Sequence, residues 1–270
     1  MLMAHNFRLS DINYKDIKGR YDSVAIIPVS AIEAHGPHLP LGVDALLNDS
    51  LLDRVIELNP SNNKILVLPN TNFGMSIEHS AYPGTISIKA ETLIEYWIQI
   101  AVSLKKSGFR KVLFFNSHGG QVGIADIVLR KLRAEHNLLA HSLHWFKVQP
   151  PEGLFEDEEL KYGIHGGEVE TSLMLHKWPS LVKMEFAQNF DSFGKDLAKK
   201  YKFVNPTGSA LSFGWQTQDL NAEGAVGNAA AANAEKGMQF FEFIAKEVSS
   251  MISEIIELSP EVLKSPVDLV

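Results

Sequence analysis

Three apolar segments constrain the fold of this chain more than any other feature of its sequence. They cover residues 24–29, 65–68 and 112–115, and each is followed directly by a residue that favours loops. Apolar runs without polar alternation are typical of strands covered on both faces, as in a parallel sheet between two layers of helices. The runs therefore predict a buried, mostly parallel sheet.

Segments with helical periodicity separate and follow these runs. Apolar residues recur at spacings of three and four over residues 92–106 and 122–136. A longer helix is predicted over residues 229–258, with a break near Gly237. Strands that alternate with helices predict an α/β fold, a three-layer α/β/α sandwich with a mostly parallel central sheet. Residues 147–165 are predicted to form an exposed loop or lid.

The composition excludes several classes of protein. The 270 residues include 25 Lys and Arg against 32 Asp and Glu, with no dense basic segment, so neither nucleic acid nor a membrane is a predicted partner. No apolar run has the length of a membrane span and no basic-then-apolar leader is found, which predicts a cytoplasmic protein. Cysteine is absent, so a metal would need nitrogen and oxygen ligands. We predict a single domain over residues 1–270.

The first polar cluster begins where the first predicted strand ends. Glu33 and His35 are two residues apart, so in an extended segment both side chains project from the same face and can reach one ion or two adjacent ions. Asp44 follows a turn rich in Gly and Pro and could return as a third ligand. A surface turn whose polar residues satisfy backbone groups explains the same pattern.

The second cluster, residues 116–121, follows the third predicted strand. It contains His118 and two adjacent glycines, which allow the backbone to come close to a ligand. A tight strand-to-helix connection with an incidental histidine is one alternative, and a phosphate-binding loop at a helix N-terminus is another. The spacing matches neither the dinucleotide-binding motif nor the P-loop, which argues against nucleotide binding.

The third cluster, residues 165–172, combines His165 with Glu168 and Glu170. Acids in the first turn of a helix also complement its dipole, so this pattern alone does not require a site. The two glutamates are about 200° apart around a helix, so both can face one site only if the helix has not yet begun. We predict that Glu168 belongs to the site and that Glu170 lies at the helix start or behind the ligands.

At these clusters the sequence resembles the creatininase family, that is, creatinine amidohydrolase-like proteins. The three clusters, the pair Glu78-His79 before a Pro-Gly-Thr segment, and a late Gly-Ala-Val-Gly segment occur in the order found in the family. The resemblance implies an α/β/α sandwich and a homo-oligomer, often a hexamer. It also implies hydrolysis of a small-molecule amide at a carbon–nitrogen bond.

The resemblance further implies a centre of two divalent metal ions, with zinc, manganese and iron as candidates for these ligand types. Creatininases carry a metal-binding glutamate two residues after the central histidine, where this chain has Gly120. Glu168 is predicted to supply the missing carboxylate, and Asp44 is predicted to bridge the two ions. The predicted metal ligands are Glu33, His35, Asp44, His118 and Glu168.

The predicted reaction is hydrolysis by a metal-activated water. His165 is the predicted proton shuttle to the leaving nitrogen, and Glu168 is predicted to be catalytic as well. Gly120 argues against creatinine itself as the substrate, which leaves deformylation and peptide trimming as rivals within the family. A binding protein without turnover on the same scaffold is a further alternative. The predicted substrate-binding residues are Glu78, His79 and Trp145.

Overall fold

A four-stranded parallel sheet forms the centre of the fold. The computed structural model describes residues 7–18, 20–206 and 211–265, so residues 1–5, where no leader is predicted, lie outside it. The strand order is β2-β1-β3-β4. The strands are β1 (Val24–Val29), β2 (Ile65–Val67), β3 (Lys111–Asn116) and β4 (Leu139–His144).

Eight α-helices and one small antiparallel sheet complete the part of the chain that the structure describes. The small sheet consists of β5 (Asn189–Phe190) and β6 (Gly227–Asn228). None of the helices in the described ranges is both long enough and apolar enough to cross a lipid bilayer. The helices are α1 (Val43–Leu58), α2 (Ala90–Lys106), α3 (Val122–His136), α4 (Asp157–Tyr162), α5 (Glu168–Lys177), α6 (Phe193–Lys200), α7 (Thr217–Leu220) and α8 (Ala234–Glu257).

Helices cover both faces of the parallel sheet, which confirms the predicted three-layer arrangement. Helices α1, α5 and α8 pack against one face, and α2 and α3 pack against the other. In β1, Val24 and Ile26 enter the first apolar core, whereas Ala25 and Ile27 enter the second. Successive side chains of a strand point to opposite faces, so in a strand between two apolar cores every side chain is buried. Such a strand is apolar throughout and does not alternate between polar and apolar residues.

Two segments differ from the prediction. Helix α8 continues through Gly237 without a break, because the glycine allows close packing on α5: a Cβ atom there would lie 1.9 Å from the carbonyl oxygen of Ser172. Residues 147–165 are not wholly a loop, since they contain α4, in which Glu159 is buried. Both differences involve contacts between residues that are far apart in the sequence, Gly237 with Ser172 and Glu159 with Asn228.

The topology brings the ends of β1 and β3 together. These strands are neighbours, and Val29 is paired with Asn116 at their carboxyl ends. Asn48 of α1 donates hydrogen bonds to the carbonyl oxygens of Val29, at 3.3 Å, and Phe115, at 3.2 Å. The segments that leave the two strands therefore start from the same edge of the sheet, where α/β proteins commonly place their sites.

Candidate metal centre

Four of the predicted ligands converge at this edge and are buried. His118 Nδ1 lies 3.1 Å from Glu33 Oε2 and 3.5 Å from Asp44 Oδ2. His35 Nε2 lies 3.9 Å from Glu33 Oε1 and 3.7 Å from Asp44 Oδ1. Asp44 thus turns one carboxylate oxygen toward each histidine, which is the arrangement of a carboxylate that bridges two cations.

Backbone carbonyl groups orient the two histidine rings. His35 Nδ1 lies 3.1 Å from the carbonyl oxygen of Glu33, and His118 Nε2 lies 2.8 Å from that of Met75. A carbonyl oxygen only accepts a hydrogen bond, so in the neutral rings the proton lies on His35 Nδ1 and on His118 Nε2. The lone pairs of His35 Nε2 and His118 Nδ1 then point toward Glu33 and Asp44. Metal-ligating histidines are typically held in this way.

The electrostatics of the group fit divalent cations. His35 Nε2 and Asp44 Oδ2 are buried and have no hydrogen-bond partner among the described residues. Burial, and next the charge of Glu33, raise the pKa of Asp44 well above its usual value. The charges of Glu33 and Asp44 raise the pKa of His118 even though burial opposes this. A cation would neutralise the charge of the carboxylates and be coordinated by the unpartnered atoms. Without such a partner, burial of these polar atoms costs free energy.

His165 stands between two other histidines. Its ring stacks on His35, with a centroid distance of 4.1 Å, and on His79, at 4.0 Å. His165 Nε2 lies 2.7 Å from the carbonyl oxygen of Ala34, which leaves Nδ1 unprotonated and 3.9 Å from Glu33 Oε1. Burial, followed by the charge of His35, lowers the pKa of His165 to about 4. The ring is therefore neutral near pH 7, with Nδ1 as its unprotonated nitrogen.

His79 is part of the same assembly. Its Nε2 lies 3.5 Å from Glu33 Oε1, and its Nδ1 lies 2.7 Å from the hydroxyl oxygen of Thr217. Burial, and next His165, lower the pKa of His79 to about 2, so this ring is neutral as well. Glu33, His79 and His165 each offer a possible metal-ligand atom, and these three atoms lie within 4.8 Å of one another.

The structure does not bring Glu168 to this group. Glu168 is the first residue of α5, and its carboxylate accepts a hydrogen bond from Lys236 of α8. Glu170 lies on the other side of the first turn, with Oε1 3.9 Å from His35 Nε2. His35, His165 and Glu170 form another set of ligand atoms within 4.8 Å. The predicted separation around the helix is observed, but the acid that faces the centre is Glu170.

We expect Glu168→Gln to leave cation binding unchanged. It should lower the free energy of unfolding by about 1 kcal/mol, because the hydrogen bond to the partly exposed Lys236 loses its charge. Metal analysis and urea unfolding measure the two quantities. Glu170→Gln makes the same chemical change on the side that faces the centre, and it serves as the comparison. Loss of a cation in Glu168→Gln alone would contradict this placement.

A cavity of about 540 Å³ opens onto the centre. Its lining includes Glu78 and His79, whose role in substrate binding stays a prediction, and the apolar side chains of Phe146, Val148 and Trp215. This volume lies in the range of small-molecule sites. The cavity thus provides space for a ligand directly beside the unpartnered polar atoms.

Trp145 does not line this cavity. Its side chain is buried in the apolar core beneath the sheet, and its neighbour Phe146 faces the cavity instead. Trp215 lies in a segment without periodicity, so no signal in the sequence pointed to it. The turn Trp145–Lys147 follows β4, and it directs Trp145 into the apolar core and Phe146 toward the cavity.

Acid is expected to destabilise the cation-free protein through buried histidines. Burial, and next the charge of His35, lower the pKa of His38 from 6.5 to about 4. Between these values the unfolded chain binds the proton and the folded chain does not, so stability falls as the pH falls through this window. The loss from His38 is about 3 kcal/mol by pH 4. Urea unfolding in the presence of a chelator, from pH 7 to pH 4.5, tests this; His38→Gln should flatten the dependence, and an unchanged slope would contradict it.

Comparisons with known proteins agree with these observations. The profile of the Creatininase family, described as creatinine amidohydrolase, matches residues 10–252. The chain is 30% identical to the mycofactocin precursor peptide peptidase of Mycolicibacterium smegmatis (strain ATCC 700084 / mc(2)155) over 158 residues, which are 58% of each protein. It is also 30% identical to the creatinine amidohydrolase of Pseudomonas putida over 203 residues, which are 68% of this chain and 76% of the relative.

The fold is also that of a solved creatininase. A glutamine-for-glutamate variant of creatininase, of the Zn–Zn type, superposes with a TM-score of 0.73 and 25% sequence identity. The match covers 94% of this chain and 99% of that one. The similarity therefore extends over nearly the whole of both chains.

Proposed function

Because the chain belongs to the creatininase family, we propose that it hydrolyses a carbon–nitrogen bond of a small cyclic or linear amide with the help of two divalent cations. The observation that carries this proposal is the position of Asp44, with one oxygen toward His35 and the other toward His118. The Zn–Zn type of the related creatininase supports it. Zinc, manganese and iron all suit a set of imidazole and carboxylate ligands.

Glu33, His35, Asp44 and His118 are the residues that would hold the cations. Cations bound there would supply Lewis-acid polarisation of the amide carbonyl and activation of water. The protein contributes a buried site, so each charge acts with little screening by solvent. Backbone carbonyl groups also orient the His35 and His118 rings, so the nitrogens that would face a cation are already directed toward it.

His165 is proposed to move the proton. Its Nδ1 faces Glu33, and the carbonyl oxygen of Ala34 holds the proton of the neutral ring on Nε2. Nδ1 therefore accepts the proton that water releases on attack and donates it to the leaving nitrogen. Glu170 lies in the same set of atoms and favours the protonated ring during this transfer, since its charge raises the pKa of His165.

The cavity favours a small substrate. Phe146 and Trp215 offer flat apolar contacts, and Lys147 is an exposed cation at the lining. These groups suit an amide with a compact ring or chain, and the end of a peptide fits the same description. The predicted homo-oligomer stays a prediction.

An activity screen tests the proposed function. Creatinine, N-formyl compounds, cyclic ureides and short peptides are incubated with the protein and added Zn²⁺ or Mn²⁺, and the released amine is measured. We expect turnover of at least one class, lost on chelation and restored by the cation. Binding of these compounds without turnover in any of them would instead favour a non-catalytic binding protein.

A further inference from the structure

The buried carboxylate of Glu159 holds the main chain of two segments near His165. Glu159 lies in α4 and is 6% exposed. Its Oε1 atom accepts a hydrogen bond from the backbone N–H of Glu168, at 2.6 Å, and its Oε2 atom accepts one from the backbone N–H of Asn228, at 2.8 Å. Both oxygens of this carboxylate are therefore bonded to main chain.

The two segments that Glu159 joins are the ones that pair at His165. His165 and Val226 form an antiparallel bridge, with N–H···O distances of 3.2 and 2.6 Å. Glu168 lies three residues after His165, and Asn228 lies two residues after Val226. The carboxylate thus adds a second connection between these segments and holds the backbone from which the His165 ring projects.

Three glycines leave the space that this carboxylate fills. A Cβ atom added to Gly163 would lie 2.3 Å from Glu159 Oε1, and one added to Gly167 would lie 2.2 Å from it. A Cβ atom added to Gly227 would lie 2.9 Å from the same oxygen. All three distances are shorter than a van der Waals contact. The chain on both sides of His165 is therefore packed closely around the Glu159 carboxylate.

The chemistry of the contacts requires a carboxylate. Burial raises the pKa of Glu159, whereas the N–H groups of Asn228 and Glu168 oppose this by stabilising its charged form. A carboxylate has only acceptor atoms, so it can serve both N–H groups, whereas a carboxamide accepts only through its single oxygen. The two donors thus distinguish glutamate from a glutamine of the same shape.

We propose that Glu159 is a positioning residue for His165, and that its carboxylate keeps the imidazole ring in place for proton transfer by joining the segments that pair at this histidine. The inference rests on the proposed function, because it assigns Glu159 to the proton transfer of that reaction. Glu159 also lines the cavity, but main chain engages both of its oxygens, so we assign it to His165 rather than to the substrate.

Amide hydrogen exchange in the cation-free, full-length chain tests the contact without reference to activity. In Glu159→Gln one of the two N–H groups loses its acceptor, so the amide of Glu168 or of Asn228 should exchange at least about tenfold faster. Glu158→Gln is the matched control: it makes the same change on an exposed neighbour in α4, which pairs with Lys195, and both amides should stay protected. Wild-type exchange at both amides in Glu159→Gln would overturn the proposal.

Kinetics with the substrate identified by the screen test the positioning role. We expect Glu159→Gln to lower kcat by about 10- to 100-fold, because a displacement of about 1 Å in a catalytic group has an effect of this size. KM and the number of bound cations should stay at the wild-type values, and Glu158→Gln should keep kcat. Wild-type kcat in Glu159→Gln would overturn the proposal, and so would a raised KM with unchanged kcat, which would indicate a substrate contact.

A double-mutant cycle with His165 separates positioning from a general loss of stability. In His165→Ala no ring remains to be held, so adding Glu159→Gln should change kcat by less than about twofold. A role in stability alone would lower kcat by the same factor in both backgrounds, and that result would overturn the proposal.

The outcomes separate this inference from the proposed function. A wild-type protein without turnover in the screen would overturn the proposed function and this role together. Turnover that Glu159→Gln leaves unchanged would overturn this inference alone. Should Glu159→Gln not fold, Gly163→Ala decides the question: its methyl group would displace the same carboxylate, and the φ of −82° at Gly163 suits alanine. Wild-type kcat in folded Gly163→Ala would then overturn the inference.

Discussion

Replacing Asp44 with asparagine is expected to abolish tight binding of both cations at once. The two oxygens of Asp44 face different histidines, at 3.7 Å from His35 Nε2 and 3.5 Å from His118 Nδ1, so each proposed cation loses a ligand. Asparagine keeps the shape but removes the charge and turns donor hydrogens toward one ring. The loss of affinity should exceed the 10- to 100-fold that is typical when a group outside the ligands is removed.

The same substitution should leave the cation-free protein folded. Burial and the charge of Glu33 both disfavour an ionised Asp44, as its raised pKa records, so a neutral amide relieves a cost rather than creating one. Thermal unfolding in a chelator should therefore show a stability equal to or above that of the wild type. Asp49→Asn is the matched control, because Asp49 is an exposed residue of the same helix, α1, and accepts a hydrogen bond from Asn70. An Asp44→Asn protein that binds two cations with wild-type affinity would refute the bridging role.

Replacing His165 with alanine is expected to lower kcat by about 10²- to 10⁴-fold while both cations stay bound. The proposed function gives this ring a proton-transfer role, since Nδ1 is free to accept and Nε2 donates to the carbonyl oxygen of Ala34. KM should change little, because substrate binding does not depend on the transferred proton. Kinetics with the substrate identified by the screen, together with metal counting, measure both effects.

Added imidazole provides the control for this prediction. A cavity left by His165 has room for a free ring beside His35 and His79, so imidazole should restore part of kcat if proton transfer was lost. His38→Gln removes another buried histidine from the same region and should keep kcat. Loss of a cation in His165→Ala would show instead that His165 is a ligand, and unchanged kcat would exclude the proton-transfer role.

The layers of the fold could be predicted because a strand that is apolar at every position must be covered on both faces. Val24 and Ala25 enter different cores, so β1 needs apolar residues at every position. The convergence of Glu33 and His118 could also be predicted, because each follows a strand of the same parallel sheet and such strands end at one edge. Local pattern and a general rule of topology were enough for these features.

The remaining features depend on contacts that no local pattern contains. Glu168 is bonded to Lys236, which lies on a helix that Gly237 allows to pack closely on α5, whereas Glu170 lies beside His35. A residue far away in the sequence is therefore bonded to one glutamate while the other lies beside His35.

The most direct test of the central claim is a crystal structure of the protein soaked in Mn²⁺, with data collected at the manganese absorption edge. The proposed centre predicts two anomalous peaks, one between Asp44 and His118 and one between Asp44 and His35. Well-ordered Glu33, His35, Asp44 and His118 side chains with no anomalous peak among them, at saturating Mn²⁺, would contradict it.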